Sequence, residues 1–302
     1  MISFNPTYTL SVEVGPFGPK DKNGYQDATQ NITFKLPTTC DFEINRAFWA
    51  SAQTGTFTLY NLKDQTRNLL YHDRYNTFQR ANIQFRAGYG GKEYLLFNGW
   101  VRNCYSKRPG KDYMTVIEAF DGAFQRTNSW TSFTRTAGMG LPDVIFNLNQ
   151  DFVNTYKLAP TPFIGTLPPV KNLRAASYFG PTDSILRSIL PKSLLYTIDS
   201  NRLIVMSYSD TTEGTLGVID SANGLLEPPT RSETFVETKL LFNPALTMGQ
   251  NVILDSADNS IFNKIYKVMG LIHSGTISTA VSGKRTTTAS LYLGQQILQA
   301  SK

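Results

Sequence analysis

The two histidines, His72 and His273, are the first residues to test for chemistry. A catalytic triad needs a base held against a nucleophile, and a zinc site needs ligands at recurring spacing. Neither histidine has such company. His72 lies in Leu70-Tyr71-His72-Asp73-Arg74, which reads as a loop, and His273 lies in Ile272-His273-Ser274-Gly275, at a strand end. Structural or solvent-facing roles account for both. Glu93, Glu118 and Asp121 are the carboxylates a glycosidase would use, but that reaction needs a pair held about 5–9 Å apart, which spacing along the chain does not provide. Gly88-Tyr89-Gly90-Gly91 precedes a strand and reads as a turn. Gly138-Met139-Gly140 opens a helix but lacks the lysine and preceding buried strand of a phosphate cradle. Trp49, Trp100 and Trp130 offer sugar-stacking surfaces, although tryptophans in strands usually serve packing. No residue is therefore assigned a catalytic, cofactor-binding or metal-binding role, and no cofactor is expected.

The composition points the same way. The chain has 302 residues, long enough for two or three cores, with 41% hydrophobic and 12% aromatic residues. Charged residues make up 17%, below the usual quarter or so of soluble domains. Many Thr, Asn, Ser, Tyr and Phe residues then favour a β-rich protein with a neutral polar surface. The net charge of +6 comes from 29 basic and 23 acidic residues without a polybasic run. The densest basic group, Lys107, Arg108 and Lys111, flanks Pro109-Gly110 and reads as a solvated turn rather than a nucleic-acid patch. Cys40 and Cys104 fall in strand-like stretches and are expected as buried thiols, which suits a reducing cytoplasm. The opening Met-Ile-Ser-Phe-Asn-Pro has no basic-then-apolar pattern, and no run of about 18 apolar residues occurs, so neither a secretory signal nor a membrane span or anchor is expected.

These residues need elements to position them. Period-2 alternation predicts strands over Asn31–Leu36, Thr56–Tyr60, Asn82–Ala87, Tyr94–Cys104 and Tyr113–Ala119. After Gly122 the period changes. Leu141, Val144, Ile145, Leu148 and Phe152 predict a helix, with Pro142 in its first turn and Asp143 at the positive end of its dipole. A second helix is predicted from about Pro181 to Leu190, stopped by Pro191. Residues Ala159 to Pro169 read as an extended proline-rich loop. Leu194–Ile198 and Arg202–Met206 predict a hairpin over Asp199-Ser200-Asn201. Strands return at Gln250–Leu254, Lys264–His273 and Thr286–Leu293. The expected class is mainly β with a smaller α/β unit, divided into residues 1–120, residues 121–231 with the linker Glu227-Pro228-Pro229, and residues 232–302. The segments around Tyr94–Ala119 and Asn263–Leu293 share a pattern of long strand, polar Gly/Lys/Arg loop and alternating strand. Either a duplicated barrel or two unrelated hairpins explains it.

A resemblance sharpens this reading. Gly55-Thr56-Phe57-Thr58-Leu59-Tyr60-Asn61-Leu62 followed by Gln65-Thr66-Arg67 resembles a strand of the phage tail baseplate hub proteins, the tail-tube-like hub family of contractile tails. Ala87-Gly88-Tyr89-Gly90, Leu96-Phe97-Asn98-Gly99-Trp100-Val101 and the pair Asp121-Gly122 are similar to that family's next motifs, in the same order. So are Asn223-Gly224-Leu225-Leu226-Glu227-Pro228-Pro229, Leu240–Gln250, Ile265-Tyr266-Lys267-Val268 and Ile272-His273-Ser274-Gly275. Thr276 stands where the family carries an aspartate, so an acidic loop contact does not transfer.

The resemblance implies two tail-tube-type antiparallel β-barrels joined by an α/β domain. It implies a structural, non-enzymatic homotrimer in the virion baseplate, assembled in the host cytoplasm. Three chains with two similar barrels each would match a six-fold tail tube, or tube-initiator protein, on one side and a three-fold spike on the other. DNA or a tape-measure protein would pass through the lumen without sequence-specific binding. No β-helical repeat follows Gly294, so the trimeric spike is expected as a separate polypeptide beside the other baseplate proteins. The competing readings are a tail-associated peptidoglycan hydrolase using Glu93 or Glu118, and a glycan-binding β-protein.

Overall fold

The computed structural model describes residues 5–17, 28–73, 81–156, 158–167, 174–212 and 216–292. Pro168, Pro169 and Leu293, which the sequence reading placed in a loop and a strand, lie outside the described residues. The protein is mainly β. Its first strands are β1 (Pro6–Phe17), β2 (Ala28–Lys35), β3 (Cys40–Ala47), β4 (Gln53–Tyr60), β5 (Asn82–Tyr89), β6 (Lys92–Lys107) and β7 (Met114–Asp121), with helix α1 (Asp64–Leu70) between β4 and β5. They run in the order β3-β4-β7-β6-β5-β1-β2. Alternation drives the burial. In β3, Cys40, Phe42 and Ile44 face the core, while Asp41, Glu43 and Asn45 face outward. The sheet curls until strands far apart in its order meet. Phe85 of β5 lies 5.1 Å, ring to ring, from Phe42 of β3 and 5.0 Å from Phe57 of β4. The β5–β6 turn is the predicted glycine turn, with Gly90 and Gly91 both at positive φ, which a two-residue hairpin loop requires.

The middle of the chain forms an insert. It comprises α2 (Ala123–Asn128), β8 (Trp130–Arg135), α3 (Leu141–Tyr156), β9 (Phe163–Ile164), β10 (Ala176–Pro181), α4 (Thr182–Ile189), β11 (Leu194–Asp199) and β12 (Arg202–Ser207). The helix expected from Leu141 extends to Tyr156, and the second helix starts at Thr182. The proline-rich loop hides the short β9, which pairs in parallel with β12. The near-continuous apolar run of β12 is explained by burial on both faces. Leu203 and Val205 pack with Val144, Leu148 and Phe152 of α3, while Ile204 and Met206 pack into a different cluster with Leu240 and Val268.

The last strands are β13 (Gly217–Ile219), β14 (Thr230–Ser232), β15 (Phe235–Leu241), β16 (Asn251–Leu254), β17 (Lys264–Ile277) and β18 (Arg285–Tyr292). Their order, β14-β15-β18-β17-β16-β13, repeats β3-β4-β7-β6-β5-β1 strand for strand. The match includes the long strand of each set. β6 and β17 each carry a bulge near the middle, at Arg102 and Met269. One pairing differs: β13 runs parallel to β16, whereas β1 is antiparallel to β5.

The two sets are one continuous sheet. The first half of β17, Lys264–Lys267, pairs with β16, and its second half, Gly270–Ile277, pairs with β3 along the same edge. The seam is therefore made of main-chain hydrogen bonds.

Candidate assembly site

The residues weighed for chemistry do not converge. Glu118 and Asp121 are three positions apart on β7, so they point to opposite faces, about 10 Å apart along the strand. Glu93 pairs with Gly88 at the start of β6, whereas Glu118 pairs with Asn103 near its other end, roughly 30 Å along the strand. Gly138 and Gly140 flank the start of α3, where Gly138 has positive φ and Asp143 occupies the first turn. Among the described residues no group of three or more His, Cys, Asp or Glu side chains could hold a metal ion.

Both histidines are buried. The His72 backbone bridges that of Cys104, and its ring is buried. His273 is fully buried within β17 rather than at its end, and its Nδ1 lies 2.9 Å from Thr287 Oγ1. Burial, with the Arg46 charge nearby, pulls its pKa down to about 3, so the ring is neutral. Cys40 and Cys104 are buried free thiols; burial pushes Cys104 up to about 12, which makes it inert at neutral pH. Trp49 is more than half exposed, yet its ring sits 4.8 Å from Phe235 and against Gly270, beside the seam.

A buried polar joint holds the insert to the sheet. Arg46 breaks the apolar alternation of β3, and its guanidinium donates to both oxygens of Asp199, at 2.8 and 2.5 Å. Burial alone would pull Arg46 down, but Asp199 more than offsets it and the group stays charged. Gln53 of β4 donates to Thr197 Oγ1 at 2.9 Å and accepts from the Ala47 amide at 2.7 Å.

Next to them, Asp121 accepts the Asn201 amide at 3.1 Å. That amide belongs to the β11–β12 turn, where Ser200 and Asn201 both adopt positive φ without being glycine. Such a turn is costly unless held, and Asp121 is one of the groups that holds it. Gly122 is required beside it, because a Cβ there would lie 2.7 Å from the Ile198 side chain. Burial and then neighbouring Asp199 push the Asp121 carboxyl up to about 8, against the pull of the Asn201 and Ser200 amides and Arg46. The joint thus carries one ion pair and a carboxyl that is largely protonated at neutral pH. From the last strands, buried Lys267 donates to the Ser207 carbonyl at 3.0 Å, tying β17 to the end of β12. The sequence reading singled out Asp121-Gly122 but missed Arg46, Gln53 and Asp199; the legible sign was a charge at a core-facing strand position.

Among the described residues, the opposite face of the joined sheet carries mostly part-exposed side chains. Cross-strand pairing there builds continuous rows. One runs Thr286, Ser274, Glu43, Thr56, Glu118. The next runs Thr288, Ile272, Asn45, Thr54, Phe120, and a third runs Thr276, Asp41, Thr58, Val116. Of these side chains only Val116 is buried.

The model of the family described as Baseplate hub gp41 matches residues 37–274, most of the chain. The chain belongs to the baseplate hub gp41 family. It is a structural component of a phage tail baseplate. Among solved structures, a tail protein from Neisseria meningitidis MC58 is similar over 95% of this hub chain and 97% of its own, with 11% identity and a TM-score of 0.58. The 43 kDa tail protein of prophage MuSo2 from Shewanella oneidensis matches over 93% and 95%, with 9% identity and a TM-score of 0.57. A component of the Escherichia coli type VI secretion system, c3393, matches over 85% and 74%, with 8% identity and a TM-score of 0.56. At these identities the likeness is one of fold. No curated protein sequence matches the chain.

Proposed function

We propose that this hub assembles as a homotrimeric ring that adapts a six-fold tail tube, or tube-initiator protein, to a separate three-fold spike and encloses the central channel. The observation that carries the reading is the strand order repeated within one chain. Two like modules per chain give a trimer six tube-like units, whereas the insert, present once per chain, keeps three-fold symmetry. On this reading residues 1–120 form one tube-type β-barrel, residues 232–302 together with β13 and β14 form the other, and the α/β domain lies between them within residues 121–231. A structural neighbour from a PdpA–VgrG complex of Francisella supports a place next to a spike. The role is architectural, without a covalent step, within the virion after assembly in the host cytoplasm. Native mass spectrometry of the hub, alone and with its tube and spike partners, is expected to give a trimer. A species that stays monomeric at micromolar concentration under both conditions refutes the ring.

A further inference from the structure

We infer that the outward face of β2, β1, β5 and β6 carries a binding cleft for a neutral oligosaccharide, closed at one end by the insert. The inference goes beyond the assembly reading and does not depend on the ring.

Geometry is the first observation. Two rows of side chains cross these strands. One runs Thr33, Ser11, Gln84, Asn98, each paired with the next. Beside it run Asn31, Glu13, Asn82 and Trp100. Glu13 meets Asn82 through its carboxylate, whose Oε2 accepts the Asn82 backbone amide at 3.3 Å. Asn201, from the β11–β12 turn, joins the rows, and together they line a cleft of about 590 Å³, a size usual for small-ligand sites. Asn31 and Thr33 form the exposed rim, and the other lining residues are half-buried.

Chemistry is the second. A side-chain amide offers both donors and an acceptor, the combination that the neighbouring hydroxyls of a sugar require. The amides here are already placed. Asn82 Nδ2 donates to the Gly99 carbonyl at 3.1 Å and to Asn98 Oδ1 at 3.4 Å, and the Ser11 and Thr33 hydroxyls lie 3.2 Å apart. Groups preset in this way lose little freedom when a ligand arrives. Trp100 adds a half-buried ring for the apolar face of a pyranose. Glu13 is the one charged residue of the lining, while Lys35 and Arg86 stand one row away. A central carboxylate repels acidic and phosphorylated ligands. It also lacks the second carboxylate that glycoside hydrolysis uses, so the cleft binds without cutting.

The third observation is a contrast within the repeat. In the last set β13, β16 and β17 hold the places of β1, β5 and β6, and their outward row is Val218, Ile253, Ile265. The fold therefore does not call for amides at these positions. Asparagine is a poor strand former, so Asn31, Asn82 and Asn98 on one strand face give up stability that a ligand site accounts for.

The test places the full-length hub on an array of neutral hexose, deoxyhexose and N-acetylhexosamine oligomers, beside sialylated and phosphorylated glycans and neutral polar peptides. Calorimetric titration of the best neutral binder follows. At least one neutral oligosaccharide should bind. Glu13→Gln combined with Asn98→Ala should weaken it at least ten-fold, the equivalent of one or two lost hydrogen bonds. Thr33→Trp sits on the exposed rim, away from the core, and should obstruct the cleft with a similar loss. Ile265→Asn, on the equivalent row of the last set, should leave the affinity within about two-fold. No binding of any neutral glycan overturns the inference, as does a preference for acidic glycans or for peptides. A neutral glycan whose affinity survives both cleft variants overturns it too. The oligomeric mass tests the ring separately and is untouched by these results.

Discussion

The two strand sets share an order but not a way of being stable. The first surrounds a large aromatic core, in which Tyr8, Phe42, Phe57 and Phe97 gather around Phe85 or its neighbours, and takes only Phe242 and Ile277 from the last set. The last packs smaller aliphatic residues, Leu240, Val252, Val268 and Leu291, and completes its cluster with Phe48 from the first set and Ile204 and Met206 from the insert. Both copies borrow: the first takes two buried residues from the last set, and the last takes Phe48 from the first set and Ile204 and Met206 from the insert. The two copies are thus locked to each other, and the last is also locked to the insert.

The largest expected effect tests the aromatic core of the first set. Phe85→Ala removes the ring at its centre and should cost about 3–5 kcal/mol, read from urea unfolding. A loss below about 1 kcal/mol would show that the first set does not rely on this cluster. Next comes the joint. Asp199→Ala leaves the Arg46 charge buried without its partner and should cost about 3 kcal/mol. Hydrogen exchange should rise in β11 and β12 more than in β5 and β6; a uniform rise would mean that the insert and the first set open as one.

The pH response is smaller and separates joint from seam. His273 has a folded pKa below its unfolded value near 6.5, so its contribution is present above pH 6.5 and is lost as pH falls toward 3. Asp121 is the reverse. Its folded pKa of about 8 lies above the unfolded value near 3.8, so its contribution is present at low pH and is lost as pH rises from about 4 to 8. Between about pH 4 and 6.5 the two slopes oppose, and their contributions should nearly cancel. Asp121→Asn removes one of them, so that variant should lose about 2 kcal/mol between pH 6.5 and 5 while the parent changes little. Parallel curves for the two proteins would remove Asp121 as the balancing group. The smallest effect tests borrowing by the last set. Ile204→Val should cost about 1 kcal/mol and raise exchange in β15 to β18 although it lies in the insert.

Much of the fold was legible because alternation and turn chemistry act locally. Asn82–Ala87 read as a strand since Ile83, Phe85 and Ala87 all point inward, and Gly90-Gly91 marked its hairpin. Other elements were not. β1 was unread, and β3 showed only as the strand-like stretch around Cys40, because its charged positions Asp41, Glu43 and Arg46 blurred the apolar rhythm. Arg46 faces inward only because Asp199 meets it, a partner distant in sequence. The short β13 and β14 exist through pairing with β16 and β15, and no local pattern announces such contacts. The pair Asp121-Gly122 was visible, but its purpose depends on a turn some eighty positions later.

The divided edge of β17 also sets an order of events during synthesis. β3 emerges from the ribosome early, and one of its two edges is paired at once by β4. Its other edge waits for Gly270–Ile277, which is made near the end. Until then a nascent hub presents an open strand edge, the kind of surface that pairs with whatever strand arrives first. Crowding nascent hubs together on one messenger should therefore favour strand exchange between copies, and slowing translation before β17 should lengthen that exposure.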